Sequence, residues 1–104
     1  MTFQHLAISD LKSLIAQDPT LRIFDTRDPG AYAAGHIDNA VELNNDSMQA
    51  LLDATPTDCN IVVCCYHGVS SQSVANWLAE QGFDNVYSLI GGYTAWAAQG
   101  QATD

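Results

Sequence analysis

The run Ile61-Val62-Val63-Cys64 narrows the folds open to this chain more than any other segment. It is the most hydrophobic stretch in the sequence, and polar and apolar residues do not alternate along it. A strand of that kind has no face to give to water, so both its sides must be covered. That is the situation of a central strand in a parallel sheet with helices above and below.

The remaining segments supply the neighbours such a strand needs. Residues 3–7 read as a first strand, and Ser9 as the cap of a helix whose stripe is Leu11, Leu14 and Ile15, spaced as one buried face. Asp18-Pro19 ends that helix, because proline pushes the preceding residue out of the helical region. Residues 21–24 form a second strand. Asp28-Pro29 then reads as an N-cap with proline at the first helical position, and Gly35 closes this short helix. Residues 40–43 are a third strand, and Asp46 caps a helix carrying Met48, Leu51 and Leu52. A turn follows at 55–58. Beyond the apolar strand, a helix starting at Ser70 or Ser71 runs to Gln81 with Val74, Trp77 and Leu78 inward. A fifth strand occupies 86–89 and a last helix 93–98. Strands and helices interleaved over short connections imply an α/β fold, a five-stranded mainly parallel sheet with helices on both faces. At 104 residues this is a single domain, 1–104.

Charge excludes several functions. Twelve acidic residues stand against Lys12, Arg22 and Arg27, a net −9. The chain therefore lacks the basic footprint that nucleic acid requires, and an anionic membrane surface is disfavoured for the same reason. No apolar run approaches the roughly 20 residues that span a bilayer, and the N-terminal residues lack the features of a signal peptide. The expected location is the cytoplasm. The three cysteines, Cys59, Cys64 and Cys65, are odd in number and two are adjacent, which is no disulfide framework. No zinc-ligand spacing is present, so neither a metal nor another cofactor is expected. A reducing compartment and a reactive thiol account better for these cysteines.

In sheets of this class the ligand site lies beyond the carboxyl ends of the strands. Cys65 occupies that position, directly after the apolar strand and at the head of the loop Cys65-Tyr66-His67-Gly68-Val69-Ser70-Ser71. Only the thiolate of a cysteine is a nucleophile, and an ordinary thiol is mostly protonated at neutral pH. Backbone N–H groups curled around the sulfur, the positive end of the following helix and the hydroxyl of Ser70 or Ser71 would all favour the thiolate. Gly68 gives the loop the backbone freedom to curl. These residues alone leave Cys65 open between a nucleophile and a buried cysteine ending a strand.

Three segments together resemble the rhodanese family. Asp25-Thr26-Arg27-Asp28-Pro29-Gly30-Ala31-Tyr32-Ala33-Ala34-Gly35-His36-Ile37-Asp38-Asn39-Ala40 is similar to that family's D-x-R-x(4)-[FY]-x-x-G-H-I-x-x-A stretch. The cysteine loop after an apolar strand is the second segment. Val86-Tyr87-Ser88-Leu89-Ile90-Gly91-Gly92-Tyr93-Thr94-Ala95-Trp96 resembles the closing L-x-G-G-[FYW]-x-x-W. The likeness spans nearly the whole chain and is greatest to the short single-domain bacterial members of the glycerol-3-phosphate-regulon type. It implies thiosulfate:cyanide sulfurtransferase activity by double displacement. Cys65 would take sulfane sulfur from thiosulfate as a persulfide and pass it to cyanide or a thiol, such as that of a thioredoxin-like protein. Residues Tyr66, His67, Gly68, Val69, Ser70 and Ser71 would bind the substrate and hold the terminal sulfur through their amides. Many rhodaneses carry Arg or Lys in this loop, where this chain has Tyr66. That substitution implies modest thiosulfate affinity and suits a protein persulfide as donor equally well.

Two other classes compete. Phosphatases of the same fold use a loop cysteine, but their loops are one residue longer and end in arginine, whereas Ser71 stands at the sixth position after Cys65. A sulfur-carrier or protein-interaction module without turnover is the other, although inactive members of the family commonly lose the cysteine. Among the remaining residues, Asp25 and Arg27 read as a charge pair buttressing the loop, and His36 as a hydrogen-bonded part of the scaffold. His67 is placed for a general base, yet a thiolate held by amides needs none. Strand alternation turns Cys64 away from Cys65 into the core. Cys59, beside a turn, reads as incidental, and Trp77, Tyr93 and Trp96 as packing residues.

Overall fold

Along residues 3–99, the part of the chain described by this computed structural model, five strands alternate with five helices. In chain order these are β1 (Gln4–Leu6), α1 (Ile8–Gln17), β2 (Arg22–Asp25), α2 (Pro29–Ala34), β3 (Val41–Glu42), α3 (Met48–Ala54), β4 (Asn60–Cys64), α4 (Ser70–Glu80), β5 (Asn85–Leu89) and α5 (Gly92–Ala98). The strands form one all-parallel sheet in the order β1-β5-β4-β2-β3. The apolar run is therefore the middle strand, and Ile61, Val62, Val63 and Cys64 are fully buried.

Its alternate residues divide between two cores, as strand geometry requires. Val62 and Cys64 join Ile23 and Leu89 against Leu11 of α1 and Trp96 of α5. Ile61 and Val63 join Phe24 and Val86 against Ala75, Leu78 and Ala79 of α4, with Met48, Leu51 and Leu52 of α3 at the margin. Two hydrophobic layers on one unalternating strand are the physical reason that run must be apolar throughout. From β2 the chain proceeds to β3 at one edge, and from β4 to β5 on the other side. The connections leaving β2 and β4 thus diverge, and a crevice opens between them at the carboxyl edge.

Local details correct several expectations. Ser9 is not a cap: the N-cap is Ala7, two residues earlier, and α1 begins at Ile8 with no side-chain cap. Asp46 does not cap α3 either. The side chain of Asn44 takes the N–H groups of both Asp46 and Ser47 at 2.9 Å and fixes the turn before α3 begins. Trp77 is 38% exposed, because the stripe of α4 that meets the sheet is Ser71, Ala75, Leu78 and Ala79. Small residues there let the helix lie close to the strands and leave the indole outside. Cys59 is not incidental. It is buried, and its thiol donates to the carbonyl of Thr20 at 2.8 Å, tying the entry to β4 to the entry to β2. Asp28 does cap α2, accepting from the N–H of Ala31 at 2.9 Å, with Pro29 following.

A buried ion pair fixes the end of β2. The Arg27 guanidinium lies 2.7 Å from the Asp25 carboxylate, and both side chains are almost wholly enclosed. Arg27 also donates to the carbonyl of Gly35 at 2.6 Å, and its guanidinium carbon stands 3.9 Å from the centre of the Tyr93 ring. Burial works against the charge on Arg27, but hydrogen bonds to Asp25 and its negative charge outweigh that and hold the guanidinium firmly protonated. Removing one partner of a buried pair leaves an uncompensated charge. Asp25→Ala should therefore cost about 3–5 kcal/mol of stability, read from the urea unfolding midpoint.

Candidate active site

The Cys65 loop is assembled from both sides of the crevice. On the β2 side, Thr26 donates to the carbonyl of Cys64 through its N–H at 2.9 Å and its hydroxyl at 3.1 Å. On the β5 side, the N–H of Tyr93 donates to the Cys65 carbonyl at 2.8 Å and that of Thr94 to the Tyr66 carbonyl at 3.0 Å. The first N–H groups of a helix have no partners within it. Here α5 directs its own at the loop. Two glycines permit the approach. Gly68 has φ +82°, and a Cβ there would lie 2.7 Å from the Gly91 nitrogen. Gly92 has φ +60°, and a Cβ there would lie 2.5 Å from the Cys65 oxygen and 2.7 Å from that of Tyr66. The Gly-Gly pair of the third segment is thus part of the site, a role its sequence did not disclose.

The Cys65 sulfur sits inside this ring, the residue being 2% exposed. The N–H of Gly68 donates to it at 3.1 Å and that of Ser71 at 3.3 Å. Burial pushes the thiol up, but the hydroxyls of Ser71 and Ser70 and the N–H groups of Ser71 and Gly68 stabilise the thiolate more strongly. The net result is a pKa lowered from an ordinary 9.0 to about 7. Ser71 is itself buried and paired with the Ser88 hydroxyl at 2.8 Å, which fixes the start of α4 on β5. Cys64, one residue earlier and on the opposite face, meets the reverse environment: burial and the Asp25 charge push its thiol well up, so it stays protonated.

The other expected residues fall into two groups. Tyr66 is 42% and Val69 72% exposed at the mouth of the loop, and the Tyr66 hydroxyl donates to the Asp28 carboxylate. That bond raises the phenol's pKa and holds the Asp28 carboxyl below its usual range. His67 is also exposed, with its ring 6.5 Å from that of Tyr66 and no hydrogen bond to the Cys65 sulfur among the described residues. His36 lies with α2: its Nδ1 donates to the Tyr32 carbonyl at 2.8 Å and its ring stacks on Tyr32 at 3.9 Å. The Arg27 guanidinium, paired with Asp25, stands 3.9 Å from the centre of the Tyr93 ring and 6.0 Å from that of Tyr66 in the loop. Besides Gly92, the sequence pattern missed Thr26, Ser88 and Gln72, whose side-chain amide donates to the Gly68 carbonyl at 2.8 Å. Only the spacing of Gln72, four residues after Gly68 in the first turn of a helix, could have flagged it.

Fold and site together define an α/β protein whose central strand delivers an amide-held, readily ionised cysteine to the carboxyl edge of a parallel sheet. The chain belongs to the family of the rhodanese-like domain, whose profile matches residues 7–99. It is 43% identical to the thiosulfate sulfurtransferase GlpE of Shewanella oneidensis over 91% of this chain and 93% of that one. With the GlpE of Pseudoalteromonas translucida it shares 42% identity over 94% and 92% of the respective chains. The rhodanese-like domain of the Alr3790 protein from Anabaena superposes with a TM-score of 0.84 at 28% identity, covering 96% of this chain and 77% of that one.

The hydrogen-bond geometry fixes the direction of a titration. Alkylation of Cys65 by iodoacetamide should accelerate as pH rises through about 7, as the thiolate forms. In Ser71→Ala, which lacks the hydroxyl, the midpoint should move up toward the ordinary 9.0. Superimposable profiles for the two proteins would contradict this account of the thiolate.

Proposed function

We propose that this chain is a thiosulfate sulfurtransferase that carries sulfane sulfur on Cys65 within one domain spanning residues 1–104. The observation that carries the reading is the Cys65 sulfur accepting N–H bonds from Gly68 and Ser71 at 3.1 and 3.3 Å, with its thiol lowered to about 7. Near neutral pH a large share of the sulfur is therefore thiolate without a general base, and His67 is not needed as one.

In the first half-reaction the Cys65 thiolate attacks the outer sulfur of thiosulfate. The new S–S bond forms as the bond to the sulfonate sulfur breaks, and that electron pair leaves with sulfite. One negative charge on the thiolate and two on thiosulfate become one on the persulfide and two on sulfite. In the second half-reaction cyanide or a thiolate takes the terminal sulfur and restores Cys65. Splitting one transfer into two displacements is covalent catalysis. The amides from Tyr66 to Ser71 are the donors for the terminal sulfur, acting where charge develops without having to reorganise.

The loop carries no Lys or Arg, so thiosulfate is held by dipoles alone and its affinity is modest. Phosphoryl transfer requires positive charge around the transferred group, and Ser71 stands where arginine would supply it. The exposed Tyr66 and Val69 beside a recessed sulfur favour a protein thiol as cellular acceptor, one of the thioredoxin-like kind, and a protein persulfide as an alternative donor. Among the described residues no helix is long and apolar enough to cross a membrane. The free thiols of Cys59, Cys64 and Cys65 suit a reducing cytoplasm.

Intact-mass spectrometry after incubation with thiosulfate should show a gain of one sulfur, about 32 Da, discharged by cyanide and absent in Cys65→Ser. Aryl phosphates should not be hydrolysed. Absence of the adduct under non-reducing conditions, or phosphatase turnover lost in Cys65→Ser, would overturn the proposal.

A further inference from the structure

The geometry points to Gln72 as a positioning residue that aims the Val69 N–H at the terminal sulfur of the persulfide. This inference rests on the sulfurtransferase reading and adds to it the means by which one donor of the cradle is oriented.

The starting point is the bond from the Gln72 side-chain amide to the Gly68 carbonyl, 2.8 Å long and partly buried. Gln72 lies in the first turn of α4, where its own N–H donates to the Val69 carbonyl at 3.1 Å. It therefore grips the loop at two consecutive carbonyls, one through its backbone and one through its side chain. A trans peptide is planar, with C=O and N–H pointing in opposite directions, and there is no cis bond in the chain as described. Fixing the Gly68 oxygen toward Gln72 consequently turns the Val69 N–H the opposite way, away from the Gln72 side chain, and the loop N–H groups that flank it, of Gly68 and Ser71, both meet the Cys65 sulfur. That N–H has no acceptor among the described residues. Gly68 needs such a restraint more than other residues would, because at φ +82° glycine has several alternative conformations of similar energy.

The two donors already on the Cys65 sulfur, Gly68 N–H and Ser71 N–H, do not depend on this peptide plane. The Val69 N–H is uncommitted while Cys65 is a thiolate, and the added sulfur of the persulfide is the anionic acceptor it would meet. Gln72 thus acts on the loaded state and leaves the ionisation of the resting thiol as it is. A hydrogen bond to an anionic sulfur that is lost on one side of an equilibrium shifts that equilibrium by about five- to tenfold.

The reaction of thiosulfate with Cys65 is reversible, so sulfite strips the persulfide. At fixed thiosulfate, the sulfite concentration that leaves half the protein loaded measures the stability of the loaded state directly, by intact mass. In Gln72→Met, which keeps the length of the side chain and removes the donor, that concentration should fall about five- to tenfold. Gln72→Glu, which offers the Gly68 carbonyl an acceptor in place of a donor, should fall at least as far. In both variants the pH profile of Cys65 alkylation should keep its midpoint near 7. Stripping at the wild-type sulfite concentration would overturn the inference, as would a fall accompanied by an equal rise of the alkylation midpoint, since that reports a collapsed loop. Failure of the wild-type protein to gain sulfur would instead overturn the sulfurtransferase reading itself.

Discussion

The site depends first on where the loop's carbonyls go. A curled loop presents N–H groups to its centre only if the carbonyls of the same peptides are turned outward and satisfied there. In this protein Tyr93 and Thr94, the first residues of α5 after Gly92, take the carbonyls of Cys65 and Tyr66, and Gln72 takes that of Gly68. With those acceptors occupied outside, the inward side of the ring is electropositive without any charged residue. The restraint runs both ways, because the unpaired N–H groups at the start of α5 find their partners in the loop. Gly68 and Gly92 are the two positions where side chains would forbid the contact.

The adjacent cysteines show how strongly local environment governs thiol chemistry. Cys64 and Cys65 share a peptide bond and nearly equal burial. Cys64 faces the layer of Val62, Leu11 and Trp96 and the Asp25 charge, and its thiol is pushed up. Cys65 faces the helix start and its thiol falls to about 7. Burial opposes the thiolate at both, more heavily at Cys64, where the Asp25 charge adds to it, while the Ser71, Ser70 and Gly68 donors outweigh it at Cys65.

A neutral cradle suits a chain of net charge −9. Among the described residues the cation near the crevice is Arg27, and it is engaged by Asp25, the Gly35 carbonyl and the Tyr93 ring. Its charge supports the architecture by locking the end of β2 to the end of α2 and to α5. In the proposed reaction, binding would fall to dipoles with fixed direction, which are sensitive to the orientation of single peptides, and residues outside the loop that hold those peptides, such as Gln72, Thr26 and Gly92, would then matter to it.

Much of this was legible in the chain itself. An unalternating Ile-Val-Val-Cys run demands cover on both faces, and interleaved strands and helices then demand a parallel sheet, so the α/β class and the placement of Cys65 at its carboxyl edge followed from local pattern. Asp28-Pro29 marked a helix start for equally local reasons. The cap expected at Asp46 and the inward indole expected of Trp77 gave way to competitors, since Asn44 captured the turn amides and alanines occupied the face of α4 against the sheet, while α1 starts ahead of Ser9 with no side-chain cap. Local pattern was enough for the layered fold, the cysteine and the glycine-bearing loop, since these depend on hydrophobic period and backbone freedom. Packing, by contrast, set the closure of the ring by Gly92 and α5, the brace of Thr26 on Cys64, and the meeting of Arg27 with the Gly35 carbonyl and the Tyr93 ring. Those contacts join separate segments of the chain, whose meeting is set by packing, whereas Asp25 with Arg27 and Gly68 with Gln72 are close enough in sequence for their spacing to hint at the pairing.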